Sequence, residues 1–273
     1  MKPTNDPAGE TSIFVRTLAN AESLAETVAG QWLDALAAPR APGLPFLVAL
    51  SGGRIIPQFF AAVVRQKRAR GISFELVHFF WADERCVPPA NPESNFWAAN
   101  EYLLLPLGLA AGQIHRLQGE GIPGIAAREA SAELLRLAPA NAAGQPVLDL
   151  VLLGMGEDGH VASLFPGAGE DMLPCQTPFL VVHHSPKPPA IRLSLSYAVI
   201  AAARQVWVMI SGAGKDQALQ DSLFRPGQTP LGRVIAAHPG VKIFTDLTIS
   251  IGPCRQTFEI RSGPAAGGSP NNL

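Results

Sequence analysis

Six short, nearly unbroken apolar runs constrain this chain more than any other feature: PFLVAL (45–50), ELVHFFWA (75–82), LDLVLLG (148–154), FLVVHH (179–184), VWVMISG (206–212) and VKIFTD (241–246). A strand with one wet face alternates apolar and polar residues. A strand covered on both faces does not need to, so continuous runs predict a parallel sheet buried under helices. Segments 20–38, 57–70, 94–105, 124–138, 214–224 and 230–237 carry Ala, Leu and other apolar residues at helical spacing between the runs. This alternation predicts an α/β fold, Rossmann-like, with a mostly parallel sheet and helices on both faces. One domain is expected over residues 11–261, with flexible Pro-, Gly-, Asn- and Ser-rich tails at 1–10 and 262–273. In such folds ligands bind beyond the carboxyl ends of the strands, so the segments that follow the runs hold the candidate chemistry.

Charge and cysteine usage narrow the partners. The formal net charge is -1, which gives no electrostatic case for nucleic acid. No apolar run approaches the roughly 20 residues of a membrane span. Cys86, Cys175 and Cys254 are scattered and form no CxxC pair, so free thiols in a reducing compartment are expected. With no apolar stretch in MKPTNDPAGE, the expectation is a cytoplasmic protein, monomeric or homodimeric.

Three segments after strand runs carry reactive groups. In LSGG (50–53), Ser51 leads into Gly52 and Gly53, a turn that aims backbone N–H groups at one point in front of a helix; this is an anion site in outline. In WADERCVP (81–88), Asp83 can accept a sugar hydroxyl or orient Arg85, whose forked donors suit an anion or oxyanion, although three adjacent charges also describe a solvated ion pair. Ser94, a little further on, reads as a helix cap. In LLGMGEDGHVASLFPG (152–167), Gly154, Gly156 and Gly159 have formal GxGxxG spacing, but Pro166 and Gly167 leave no room for the long helix a dinucleotide fingerprint requires. The glycines instead shape a loop presenting Asp158 and His160, and imidazole as a class exchanges protons near neutral pH.

Cations complete the set. Lys187 lies among prolines in SPKPPAIRLSLS (185–196), with Arg192 close behind. Lys215 in SGAGKDQAL (211–219) begins a helix, where a cation opposes the dipole unless an anion is held there. The chain has no G-x-S-x-G elbow, no H-E-x-x-H helix and no P-loop, and His183–His184 has no companions at metal-ligand spacing.

Taken in order, LSGG, WADERCVP, ESN (93–95), LLGMGEDGHVASLFPG, KPPAIRLSLS and GAGKDQAL resemble the 6-phosphogluconolactonase family over about residues 45–225. The ASLFPG continuation separates the central loop from that of the related glucosamine-6-phosphate deaminases. The resemblance implies a fold of the deaminase and ribose-phosphate-isomerase type. It also implies hydrolysis of a phosphorylated sugar lactone without metal or organic cofactor. His160 is then the general base, Asp158 and Gly159 shape its loop, and Arg85 contacts substrate near Asp83. Ser51, Gly52, Gly53, Arg192 and Lys215 lie where phosphate is expected, with Lys187 nearby. Two departures stand out: SGGRIIP replaces the usual SGGSTP, putting Arg54 where hydroxyls are expected, and Val161 replaces a common Thr. Arg54 is accordingly a candidate phosphate ligand. Competing readings are a deaminase or isomerase using Asp83 as base, a non-catalytic sugar-phosphate sensor, and dinucleotide binding at 154–159.

Overall fold

The computed structural model describes residues 13–167 and 177–249, and the backbone of 258–262. Seven strands form one sheet in the order β10-β1-β9-β8-β5-β2-β3. They are β1 (Ile13–Thr17), β2 (Phe46–Leu50), β3 (Val77–Trp81), β5 (Leu150–Gly154), β8 (Val206–Ile210), β9 (Val241–Thr245) and β10 (Phe258–Ser262). All neighbours in it run parallel. Every residue of β2 and β8 is buried, so both faces of the sheet are covered, as the unbroken apolar runs require.

Helices α1 (Ala21–Ala37) and α2 (Ile56–Arg70) follow β1 and β2 and pack against each other. Asn20 and Ser23 cap α1 reciprocally. A short irregular helical stretch holds α3 (Asn95–Ala99), one π-helical turn (Asn100–Leu104) and α4 (Leu105–Leu107). It occupies the segment 94–105 expected as one helix. α5 (Pro123–Leu137) precedes β5; α6 (Tyr197–Ala202), α7 (Asp216–Phe224) and α8 (Pro230–Ala237) complete the set.

From β2 the chain passes to β3 on one side, while β5 lies against β2 on the other. The strand order therefore reverses at the β2–β5 seam, where the carboxyl ends open a crevice.

Two expectations fail. The run 179–184 does not join the parallel sheet: β6 (Phe179–Val182) pairs antiparallel with β7 (Arg192–Leu195), which pairs antiparallel with β4 (Asp83–Arg85) in a separate three-stranded sheet. Residues 183–191 link β6 to β7 without a helix, and a short link of this kind returns antiparallel. Strands β1, β4, β7 and β10 were not anticipated. IFVRT and RLSL carry charges that break an apolar run, and DER is wholly charged. Ser262 pairs with Thr17 at the end of β10, one residue inside the expected C-terminal tail; the rest of both tails, and Cys175 and Cys254, lie outside the described residues.

Candidate active site

The crevice holds a cavity of about 250 Å³. Ser51, Gly52, Gly53 and Arg54 reach it from the loop after β2, Asp83 and Arg85 from β4. His160 reaches it from the loop after β5, Lys187 and Arg192 from the approach to β7, and Lys215 from the start of α7. Asp158 and Gly159 stand behind His160 rather than on the wall.

Loop geometry fixes the imidazole. Nδ1 of His160 lies 2.5 Å from Oδ1 of Asp158, and the His160 backbone N–H donates to the same oxygen at 3.2 Å. An ionised carboxylate there assigns the proton to Nδ1 and leaves Nε2 with its lone pair; Nε2 has no partner among the described residues. Burial pushes the Asp158 carboxyl up, but the hydrogen bond and charge of His160 outweigh it and hold it below the usual carboxylate value. Gly156 donates its N–H to the His160 carbonyl at 2.9 Å, and a Cβ at Gly156 would fall 2.1 Å from the imidazole ring. Gly159 has φ +80°, and a Cβ there would meet Thr229 at 2.9 Å. Three residues on, Ala162 has φ 49° and also lines the cavity. Among the described residues it is the one non-glycine with positive φ, a conformation that concentrates at functional sites.

The three charges of β4 are separated by their partners. Asp83 is buried and accepts from Ser163 Oγ at 2.7 Å and Asn95 Nδ2 at 3.3 Å. It makes no hydrogen bond to Arg85, so its neighbours and not Arg85 fix its direction. Glu84, also buried, accepts the N–H groups of Arg85, Asn95 and Phe96 and the hydroxyl of Ser94. Burial raises its pKa and these donors partly offset the rise. Ser94 caps α3, as expected. The solvated ion pair is thus replaced by two buried, hydrogen-bonded acids. Arg85 donates Nη1 to the Glu93 carbonyl at 2.5 Å, while its Nε is buried and unpartnered. Cys86 is no nucleophile here, because burial and the Glu84 charge push its thiol up to about 11.

Cations dominate the remaining wall. Arg85 faces Arg192 across the antiparallel β4–β7 pair, a like-charge placement that costs stability. Burial and the Arg85 charge both depress the pKa of Arg192. Arg192 also organises the proline loop, donating to the carbonyls of Lys187, Pro188 and Pro189 at 3.0–3.1 Å. Lys215, with no side-chain partner among the described residues, is depressed by burial and by the charge of Arg54. Neither α2 nor α7 has a side-chain cap, although both begin at this cavity. Uncapped N–H groups beside unpaired cations make a site for a compact anion.

Sequence reasoning missed the supports. Ser163 and Asn95 hold Asp83. Asp246, at the end of β9, accepts from Ser211 Oγ at 2.6 Å and Gly212 N at 3.3 Å and so fixes the loop that presents Lys215. Glu157 pairs with Arg54. The usable signal for Asp246 and Ser211 was position, since both stand at the carboxyl end of an apolar strand run.

Comparison with known proteins places the chain in a family. Residues 19–243 match the family of glucosamine-6-phosphate isomerases and 6-phosphogluconolactonase. A chloroplastic 6-phosphogluconolactonase from Arabidopsis thaliana is 32% identical over 209 residues, 74% of this chain and 63% of its own length. The 6-phosphogluconolactonase of Streptomyces coelicolor is 33% identical over 216 residues, 76% of this chain and 81% of its own. The solved 6-phosphogluconolactonase of Trypanosoma brucei superposes with a TM-score of 0.72 at 27% identity, covering 85% of this chain and 95% of that one. With its fold and most of its length matched, the chain belongs to the family of glucosamine-6-phosphate isomerases and 6-phosphogluconolactonase.

Proposed function

We propose that this chain hydrolyses 6-phospho-D-glucono-1,5-lactone to 6-phosphogluconate, a step of the pentose phosphate pathway, with His160 as general base. The observation that carries the reading is the pairing of His160 Nδ1 with Asp158 at 2.5 Å, which leaves Nε2 as the free nitrogen in a cavity that Arg85, Lys187, Arg192 and Lys215 also line. The names of the curated relatives support the lactone, and the cations support its phosphate.

The phosphate docks against the Gly52–Gly53 turn with Lys215, Lys187 and Arg192 around it. Anchoring this remote group orients the ring, so binding energy is applied at the reacting carbonyl. Nε2 of His160 takes a proton from water as the water oxygen attacks the lactone carbonyl. Asp158 stabilises the imidazolium that forms. Arg85, which lines the cavity, steadies the tetrahedral oxyanion. The intermediate collapses by breaking the ring C–O bond, and His160 returns its proton to the departing ring oxygen. Asp83, held by Ser163 and Asn95, accepts a sugar hydroxyl. A cytoplasmic location belongs to the same proposal.

The test is hydrolysis of freshly prepared 6-phosphogluconolactone at fixed pH with and without the protein, against unphosphorylated gluconolactone. Acceleration above the spontaneous rate, larger for the phosphorylated substrate, is expected. Ammonia release from glucosamine 6-phosphate with no lactone acceleration would replace this reading with the deaminase one.

A further inference from the structure

The loop after β2 carries Arg54 where the family pattern has hydroxyls. Arg54 lines the cavity, and its ion-pair partner is Glu157, Nη2 to Oε1 at 3.4 Å. Both side chains are largely exposed, 69% and 55%. A single long contact between exposed groups is a weak hold. Yet the pair is electrically joined to the cavity: the Arg54 charge pushes the Lys215 pKa down and the Glu157 charge pushes it up. Glu157 also borders the turn before α7, since a Cβ on Gly214 would lie 3.8 Å from its Cγ. Arg54 and Glu157 therefore stand at the mouth between two uncapped helix starts.

We infer that Arg54 and Glu157 form an exchangeable pair that selects for a phosphate-monoester dianion. Arg54 leaves Glu157 for the phosphate, whose two charges and three acceptor oxygens outcompete one carboxylate at 3.4 Å. Glu157 meanwhile withholds Arg54 from a ligand bearing a single carboxylate, which cannot displace it, so it acts against the wrong anion while Arg54 acts for the right one. The inference rests on the lactonase reading.

The experiment compares wild type, Arg54→Ala, Glu157→Gln and the double variant. Each is assayed with 6-phosphogluconolactone and gluconolactone, and titrated calorimetrically with 6-phosphogluconate and gluconate. Loss of one charge-assisted contact predicts a KM for the phosphorylated lactone, and a Kd for 6-phosphogluconate, raised about tenfold in Arg54→Ala. The corresponding values for the unphosphorylated compounds move far less. Glu157→Gln lowers the phosphorylated KM and Kd about twofold, and has no effect once Arg54 is gone. Unchanged phosphate affinity in Arg54→Ala overturns the inference, as does a Glu157→Gln effect that persists without Arg54. An inactive wild type overturns the lactonase reading instead, and the 6-phosphogluconate titrations still report on the pair.

Discussion

Two histidines in this molecule share the same first hydrogen bond, and only one sits where chemistry can use it. Nδ1 of His160 meets Asp158 at 2.5 Å; Nδ1 of His115 meets Glu133 at 2.9 Å. Each lines a cavity, and that of His115, at about 380 Å³ against about 250 Å³, is the larger. The difference lies in the second nitrogen. Nε2 of His115 is 2.9 Å from Nδ1 of His78, and Phe80 stacks on its ring with centroids 4.6 Å apart. His160 keeps Nε2 free, at the reversal of strand order, in a cavity that Arg85, Lys187, Arg192 and Lys215 also line. A carboxylate–imidazole pair is thus a structural clasp until its other nitrogen is left open beside a binding surface.

The widest separation between the two should be seen on removing each ring. His160→Ala should lower kcat by about 10²–10⁴-fold, the usual contribution of general-base help, while substrate binding survives. His115→Gln should leave kcat within about twofold, since nothing in its surroundings holds a phosphorylated ligand. Initial rates corrected for spontaneous lactone opening decide both; comparable losses would erase the distinction. A subtler break keeps His160 but moves it. Gly156→Ala places a methyl 2.1 Å from the ring, so the imidazole must leave Asp158. A displacement of about 1 Å can cost on the order of 10²-fold, and the loss should fall on kcat rather than KM.

How much of this was legible beforehand depends on where each signal resides. The central strands were, because a strand covered on both faces must be apolar along its length, as β2 and β8 are. The edge strand β1 and the small sheet were not, since their charged residues make sense only once partners are placed. The cavity residues were legible because Ser51, Gly52 and His160 follow strands in a fold that opens at strand ends. The supports were hidden: nothing local in ASLF says that Ser163 will reach Asp83, 80 positions away. Nothing local in His78 or His115 says that they will clasp each other, so sequence alone could not rank His160 against them except by its glycines.

On the binding side, Lys215→Ala should raise KM for the phosphorylated lactone about tenfold, with little change in kcat. Raising the salt concentration should weaken wild-type phosphate binding more than it weakens the variant's. pH sharpens the test. Burial and Arg54 hold the Lys215 pKa below the usual lysine value, so its charge is lost at a lower pH than an ordinary lysine's. KM should therefore begin to climb earlier on the alkaline side in wild type, and the Lys215→Ala profile should lack that limb. A bound phosphate opposes the deprotonation, so saturating ligand should move the limb upward; a limb unchanged by Lys215→Ala belongs to another group.

The smallest effect concerns the clasp itself. Burial lowers the pKa of both His78 and His115; the Arg136 charge adds to this, and Glu133 opposes it. In the unfolded chain both rings return to about 6.5. As pH falls below that value the unfolded state takes up protons that the folded state refuses, so stability declines toward acid and is retained above about 6.5. The expected change is on the order of a few degrees in Tm between about pH 7.5 and about pH 5.5, read by thermal unfolding. His78→Leu should flatten this dependence while leaving kcat at neutral pH within about twofold. His160→Ala should do the reverse, lowering kcat by the factor given above while leaving the acid slope nearly intact. Should His78→Leu retain the full acid slope, the clasp is not its source, and the contrast between a structural and a working imidazole would rest on the rate measurements alone.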